Sequence, residues 1–243
     1  MNDKTSFNLF DCYTKKMTYE PYKKLEENYL KEIEDQYDSG MKRYMAVASW
    51  HTILKSLKYH ATNDIAHTLF KANHHAQIHY GFWDEDTKNF NEAIKNTSRI
   101  VYKDLKIGHQ KAKVIHLGSG TGGVDIQFCQ TNPRLKVVGV TLSKSQVMAA
   151  NKLAELHGLD SRLKFKQDNY LQLSKKYSNQ FNAAYAIESL CYTPKKDLPR
   201  FFNQVSSILK TGSRFVIIDG FFNKISNQKD RKKYNQFLKG WDL

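Results

Sequence analysis

The chain has 243 residues, of which 40% are hydrophobic and 26% are charged, and it carries a formal net charge of +14. This composition is typical of a globular protein and excludes an intrinsically disordered one. No run of about 18 apolar residues occurs, which argues against a transmembrane helix, and the N-terminal residues lack the basic-then-apolar pattern of a signal peptide.

The chain up to residue 110 has a helical, aromatic-rich pattern. Residues 20–38 place acids and lysines at helix-neighbour spacing, and residues 44–59 are apolar at every third or fourth position, so both segments predict helices. The aromatic stretch HYGFWDEDT over 79–87 predicts a turn-like segment, and residues 89–105 predict a further helix.

Beyond residue 110, short apolar runs alternate with helical patterns. Strands are predicted at 113–117, 136–140, 163–167, 181–187 and 214–219, and helices at 122–130, 143–157 and 197–209. Ser143 is placed to cap the second of these helices, and Gly158 to end it. Strands and helices alternating at this length predict an α/β fold with a parallel, doubly wound sheet.

A glycine-rich segment, IHLGSGTGG over 115–123, follows the first predicted strand and opens a helix. Small residues let a backbone approach a ligand closely, and a helix N-terminus favours negative charge. Gly118, Gly120 and Gly123 also satisfy G-x-G-x-x-G, so a dinucleotide is one candidate ligand, and a tight turn without a ligand is the alternative. A P-loop is excluded, because no Gly-Lys-Ser/Thr follows the glycines.

The ends of the second and third strands separate the candidate ligands. A site for NAD needs an acidic residue about twenty positions further on, for the ribose hydroxyls, but the second strand ends GVTLS over 139–143. Thr141 and Gln146 can instead offer a hydroxyl and an amide to a ribose. Asp168, in the QDN segment after the third strand, can accept a hydrogen bond from an adenine amino group, although alone it would be an ordinary turn residue.

Together these segments resemble the class I S-adenosylmethionine (SAM)-dependent methyltransferases, most closely the branch containing the sterol and tocopherol methyltransferases and the cyclopropane-fatty-acid synthases. The matching stretches are HYGFWDED (79–86), VIHLGSGTGG (114–123), VVGVTLSKSQ (137–146), QDN (167–169), AIESLCY (186–192) and SSILKTGSRFVIID (206–219). The resemblance implies a Rossmann-like fold, SAM as the cofactor and methyl transfer to a small-molecule acceptor. We therefore expect a helical extension over residues 1–75 and a SAM-binding domain over residues 76–243.

The resemblance also implies the residues that contact the cofactor, from three loops that follow strands and from one N-terminal segment. They are Gly118, Ser119 and Gly120 under the methionine part, Thr141, Leu142 and Gln146 around the ribose and adenine, Asp168 and Asn169 at the adenine amino group, and His79 and Tyr80 in a segment folded over the cofactor.

The catalytic candidates are Glu188, Tyr80 and Tyr192. The resemblance places Glu188 near the site of methyl transfer. If the acceptor is an alkene, methylation creates a carbocation, which aromatic faces and a carboxylate can stabilise, and a carboxylate can also remove the proton that quenches the cation. We therefore expect C-methylation of a lipid-like or isoprenoid acceptor, with plain core packing as the alternative role of the tyrosines.

The sequence departs from the family pattern in two places. His116 stands where the family has an acid that organises the methionine end of the site, so we expect His116→Asp to strengthen SAM binding. The family continues after the fifth strand with two more strands, whereas this sequence ends YNQFLKGWDL. We expect those two strands of the usual seven to be absent, and the protein to form a homo-oligomer or to be a weakly active, truncated relative.

Other features support narrower expectations. Three scattered cysteines predict a reducing, cytoplasmic location rather than a disulfide framework. His74, His75 and His79 lack further ligands nearby, so no metal site is expected. The run KDRKK over 229–233 predicts a solvated helix face, with contact with an anionic membrane surface as the alternative.

Two alternative functions remain open. A non-catalytic SAM-binding relative is favoured by His116 and by the end of the chain. An RNA methyltransferase is suggested by the positive charge, but AIESLCY (186–192) stands where an amino-methylating enzyme would have N/D-P-P-Y/F. We therefore expect no specific nucleic-acid partner.

Overall fold

The structure is a computed structural model that describes residues 77, 79, 81–88, 90–221, 227–229 and 231–232. The expected helical extension over residues 1–75, together with its two predicted helices, lies outside the described residues. Tyr80, His74, His75 and the last eleven residues of the chain lie outside them as well.

Strands and helices alternate from residue 90 to residue 218. The strands are β1 (Ala112–Leu117), β2 (Leu135–Thr141), β3 (Leu163–Gln167), β4 (Phe181–Ile187) and β5 (Leu209–Ile218), and the helices are α1 (Phe90–Leu105), α2 (Gly123–Thr131), α3 (Lys144–Leu156), α4 (Ser174–Tyr177) and α5 (Leu198–Ile208). Short 3-10 turns occur at Tyr170–Gln172, Leu190–Tyr192 and Lys195–Asp197.

The five strands form one sheet in the order β3-β2-β1-β4-β5, and every neighbouring pair is parallel. This confirms the predicted α/β, Rossmann-like sheet. β5 begins five residues before its predicted start, because Phe181 pairs with Leu209 and Ala183 with Arg214, so residues 210–213 bulge out of the pairing. The expectation about two further strands falls largely on residues outside the described part of the chain.

Two apolar layers cover the sheet. Helices α1, α2 and α3 pack on one face, around Phe128 and Tyr185, and α4 and α5 pack on the other, around Phe181 and Phe201. The central strands β1 and β4 are buried almost throughout, as expected for parallel strands covered on both faces.

Local signals in the sequence set the bounds of α3. The Ser143 hydroxyl accepts a hydrogen bond from the backbone N–H of Gln146, so Ser143 caps the helix as predicted. Gly158 follows the helix with a φ of +64°, a conformation that glycine adopts at little cost. Both predictions are confirmed.

The strand order places a crevice at the carboxyl ends of the strands. The chain winds from β1 outward to β2 and β3, and then crosses to β4 and β5 on the other side of β1. In open α/β sheets, ligands bind outside the carboxyl ends of the strands at such a reversal. Here the reversal lies between β1 and β4. Within the described residues, no helix is both long enough and apolar enough to cross a membrane.

Candidate functional site

The glycine loop after β1 folds back on the end of β2. The backbone N–H groups of Gly118 and Ser119 both donate to the Val140 carbonyl, each at 2.9 Å. Gly118 has a φ of +79°, and a Cβ added there would lie 2.3 Å from the Ser189 Cβ. Gly120 has a φ of +54°, and nothing lies within 4 Å of the corresponding position. The loop therefore packs tightly on the end of β4 at its first glycine and borders open space at its second.

The predicted ribose-binding residues come together at the end of β2. The Thr141 hydroxyl donates to Gln146 Oε1 at 2.8 Å, and both side chains are buried. The Leu142 carbonyl accepts a hydrogen bond from Gln167 Nε2 at 2.9 Å, which ties the loop after β2 to the end of β3. The Thr141–Gln146 bond engages the amide oxygen and fixes the orientation of the Gln146 side chain.

Asp168 and Asn169 extend this edge beyond β3. The backbone N–H of Asp168 donates to the Thr141 carbonyl at 3.0 Å, which joins the ends of β2 and β3. One Asp168 carboxylate oxygen accepts from the backbone N–H of Asn169, and the other accepts from Lys176 Nζ at 2.8 Å. The hydrogen bond to Asp168 raises the pKa of Lys176. Lys176 was not among the predicted site residues, because the one-turn helix α4 was not predicted.

Three buried side-chain atoms in the described part of the chain have no hydrogen-bond partner, and all three lie at the carboxyl ends of strands. They are His116 Nε2, Ser119 Oγ and Asn169 Nδ2. A buried polar atom without a partner costs about 1–3 kcal/mol, and in native proteins such atoms are usually satisfied by solvent or a ligand. The loops after β1 and β3 thus have unmet hydrogen-bonding capacity at the crevice.

A buried polar cluster surrounds His116. Its Nδ1 lies 3.0 Å from Asp125 Oδ2, and the Tyr185 hydroxyl donates to the other oxygen of Asp125 at 2.5 Å. An ionised carboxylate only accepts hydrogen bonds, so His116 Nδ1 is the donor. Burial, and then the charge of Asp125, raise the pKa of Tyr185 well above its ordinary value. A carboxylate therefore lies beside the end of β1, but it comes from α2 and not from β1.

Glu188 follows β4 in a strained backbone conformation. Its φ is +48°, which is uncommon for a residue other than glycine, and its backbone N–H donates to the Ile218 carbonyl at 2.7 Å. Such strain persists only where the surrounding structure enforces it, and it is frequent at functional sites. Glu188 is half-buried and directly follows β4, as the sequence predicted, and its role near the site of methyl transfer stays a prediction.

The turn that carries Tyr192 is held by Asp219, a residue that the sequence did not single out for the site. Asp219 Oδ2 accepts from the backbone N–H groups of Leu190 and Cys191, at 2.8 and 3.1 Å. Burial, and then the charge of Asp219, raise the pKa of the Cys191 thiol to about 12, so this thiol stays protonated near neutral pH. Tyr192 is half-buried, whereas Tyr80 lies outside the described residues.

His79 belongs to a second buried polar cluster. Its Nε2 donates to Gln77 Oε1 at 2.8 Å, and its Nδ1 accepts from the backbone N–H of Gly81 at 3.2 Å. This pair of bonds requires the neutral ring with its proton on Nε2. Burial, and then the nearby His116, lower the pKa of His79 to about 4.

The neutral state of His79 makes the stability depend on pH. Between about pH 6.5 and pH 4, the unfolded chain binds a proton at His79 that the folded chain does not, so the free energy of unfolding falls as the pH falls. We expect a loss of up to about 3 kcal/mol from this residue at pH 4. Urea denaturation between pH 4 and pH 8 would measure it.

A matched comparison isolates this contribution. The His79→Gln variant should have a shallower decline in stability over that pH range, whereas a variant of the exposed His109, His109→Gln, should decline as the unaltered chain does. An identical decline in all three proteins would contradict the assignment.

A family model and curated relatives identify the family of the chain. A family model described as "Methyltransferase domain" matches residues 108–240. Erythromycin 3''-O-methyltransferase of Saccharopolyspora erythraea is 26% identical over 187 residues, covering 74% of this chain and 59% of that protein. The 24-methylenesterol C-methyltransferase 2 of Arabidopsis thaliana is 33% identical over 104 residues, covering 43% of this chain and 28% of that protein. The chain thus spans less than two thirds of the length of these relatives.

A solved structure supports the fold. The geranyl diphosphate C-methyltransferase of Streptomyces coelicolor, in complex with Mg²⁺, geranyl diphosphate and S-adenosyl-L-homocysteine, matches with a TM-score of 0.58 at 22% identity. The match covers 68% of this chain and 66% of that one.

Proposed function

Because the chain belongs to the methyltransferase domain family, we propose that it binds SAM at the carboxyl ends of its strands and transfers the methyl group to a small acceptor. A lipid-like or isoprenoid acceptor methylated on carbon is favoured, since a sterol and a geranyl diphosphate C-methyltransferase are among its relatives. The observation that carries the cofactor site is the group of three unpartnered buried polar atoms at the crevice.

The residues around the crevice suit SAM. Open space borders Gly120, and the unpartnered Ser119 hydroxyl lies on the same loop, so this loop would hold the methionine part. Thr141, Leu142 and Gln146 would surround the ribose and adenine. No acidic residue directly follows β2, as the sequence indicated, and this disfavours NAD as the ligand.

At the adenine end of the site, the Asp168 carboxylate would accept a hydrogen bond from the ligand in addition to those it already accepts. Both of its oxygens already accept one hydrogen bond each, but a carboxylate oxygen can accept two. Lys176 is 58% exposed, so its side chain can also move away at little cost. We propose that Asp168 accepts from the adenine amino group and that Asn169 Nδ2 donates to the same ligand. His79, neutral and buried beside the crevice, would close the site from the N-terminal side.

The reaction needs alignment more than strong acid–base chemistry. SAM supplies a methyl group on a positively charged sulfur, and the in-line displacement gains much of its rate from positioning and from exclusion of water. Glu188 would stabilise positive charge that develops on an alkene acceptor and would accept the proton released afterwards. Tyr192 and Tyr80 would supply aromatic faces toward that charge.

Calorimetric titration tests the cofactor assignment. We expect S-adenosylhomocysteine and SAM to bind, and NAD not to bind. Asp168→Ala should weaken S-adenosylhomocysteine binding by about 1–3 kcal/mol, because it leaves the amino group of a buried ligand without a partner. The exposed Lys152→Ala, far along α3, is the control. Binding of NAD alone would overturn the assignment. Release of S-adenosylhomocysteine from SAM would then separate an active enzyme from a non-catalytic relative.

Two substitutions of Glu188 separate the contribution of its carboxylate to methyl transfer from the strain in its backbone. Glu188→Gly relieves the left-handed conformation and removes the carboxylate, so we expect the protein to gain up to about 1 kcal/mol of stability while losing methyl transfer. Glu188→Gln keeps the strain and should also lose activity, without the gain in stability. Thermal denaturation and product assays on both variants would check this. Full activity in either variant would exclude a catalytic carboxylate here.

Contact with an anionic membrane surface is a further part of the proposal. Lys229, Arg231 and Lys232 are exposed, and basic residues of this kind are attracted to anionic lipid headgroups. Such contact would bring the site close to a lipid-like acceptor. Self-association stays a prediction.

A further inference from the structure

A second concave site lies at the opposite end of the sheet, where the strands begin. It is a cleft of about 210 Å³ between the end of α1, the start of β1 and the bulge at the start of β5. Its polar lining residues are Lys106, Gln110, Lys111, Asn182 and Arg214, and Gly212 borders them. The candidate methyl-transfer site is at the carboxyl ends of the same strands, so the two sites are separated by the length of the sheet.

Hydrogen bonds fix the walls of the cleft. Asn132 Nδ2 donates to the carbonyls of Gly108 and Gln110, at 3.1 and 3.0 Å. The oxygen of the Asn182 amide accepts from the backbone N–H of Lys113 at 2.9 Å, which leaves its N–H groups to donate. At Gly212, with a φ of +77°, nothing lies within 4 Å of an added Cβ. The cleft therefore offers a ligand the N–H groups of Asn182 and three cationic side chains.

The cationic side chains of the cleft form no ion pair with an acid in the described part of the chain. Lys106, Lys111 and Arg214 are exposed, and the three ion pairs formed among the described residues all lie elsewhere. Arg214 offers a planar fork of donors that suits two oxygens of one anion, and a lysine acts as a point charge.

We propose that this cleft binds a phosphate group, held by Arg214 through paired hydrogen bonds and by Lys106 and Lys111 through charge. The ligand class is a phosphomonoester, either a free small molecule or the headgroup of a phosphatidate. The proposal is independent of the methyl-transfer function, because no residue of the cleft belongs to the crevice at the other end of the sheet.

Two binding experiments on the full chain test the proposal. The first titrates inorganic phosphate and glycerol phosphate by calorimetry, and the second measures sedimentation with phosphatidylcholine vesicles that contain or lack phosphatidate. The test variant is Lys111→Gln combined with Arg214→Gln. The control is Lys95→Gln combined with Lys152→Gln, which removes the same charge from exposed positions on α1 and α3.

We expect saturable binding of one phosphate per chain, weakened at least tenfold in the test variant and less than twofold in the control. Binding of the soluble ligands identifies a free phosphomonoester as the source. Binding of phosphatidate vesicles, with the same difference between variants, identifies a lipid headgroup. Absence of saturable binding in both experiments, or equal weakening by the two charge-matched variants, would overturn the proposal. Circular dichroism of each variant confirms that it is folded.

Discussion

The His116→Asp variant is expected to lose about 3–5 kcal/mol of its free energy of unfolding, the usual consequence of leaving a buried charge without its partner. Asp125 is fully buried, and its carboxylate accepts from His116 Nδ1 at 3.0 Å. A second carboxylate at position 116 would face the first without a cation between them. The expectation from the sequence that His116→Asp strengthens SAM binding stays a prediction, and this loss of stability would accompany it.

Exchanging the side chains of residues 116 and 125 distinguishes the loss of their pairing from a simple packing defect. His116→Asp combined with Asp125→His puts the acid on β1 and the imidazole on α2, so it should recover a large part of the lost stability. His116→Gln keeps a donor for Asp125 and should lose less than His116→Asp. Urea denaturation of the three variants would measure these differences. A His116→Asp protein as stable as the unaltered chain would contradict a stabilising contact between His116 and Asp125.

Equivalent substitutions at Gly118 and Gly120 should have very different effects. Gly118→Ala should lose about 3 kcal/mol or more of the free energy of unfolding, since its Cβ would lie 2.3 Å from the Ser189 Cβ and its φ is +79°. Ser189 has little room to yield, because its hydroxyl donates to the Leu117 carbonyl at 2.7 Å. Gly120→Ala meets no atom within 4 Å and should lose only the roughly 1–2 kcal/mol of the left-handed backbone.

Binding of the cofactor should instead depend more on Gly120 than on Gly118. Gly120→Val leaves the packing against β4 intact but fills the open space beside the loop, so the folded variant should lose S-adenosylhomocysteine binding. Thermal denaturation and calorimetry on the same preparations would show both effects. If a folded Gly120→Val protein binds with unchanged affinity, the space beside this glycine is not the cofactor site.

The sequence predicted the order of the elements well, because parallel strands buried on both faces are continuous apolar runs. β3 and β4 have the predicted bounds, at Leu163–Gln167 and Phe181–Ile187. The start of β5 was missed, since the bulge over residues 210–213 puts polar residues and a glycine inside the strand. The helix α4 was missed because four residues are too few to show a period.

The candidate site was predicted only where a motif marks the end of a strand. The glycine loop, the end of β2 and Asp168 were found in this way, and their roles stay predictions. Asp125 and Lys176 were not found, because each meets its partner through the fold rather than through a spacing along the chain. The sequence placed Asp219 at the end of a predicted strand, but Asp219 accepts a hydrogen bond from Cys191, which lies 28 residues earlier in the chain.

The pairing of β1 with β4 constrains the order in which the protein acquires its structure. β1 lies at the centre of the sheet, yet one of its two neighbours is synthesised only after about 60 further residues have been added. Glu188 then depends on a hydrogen bond to Ile218, and the turn after it depends on Asp219. A growing polypeptide on the ribosome can therefore form β1, β2 and β3 early, but the complete crevice cannot assemble until β5 has emerged.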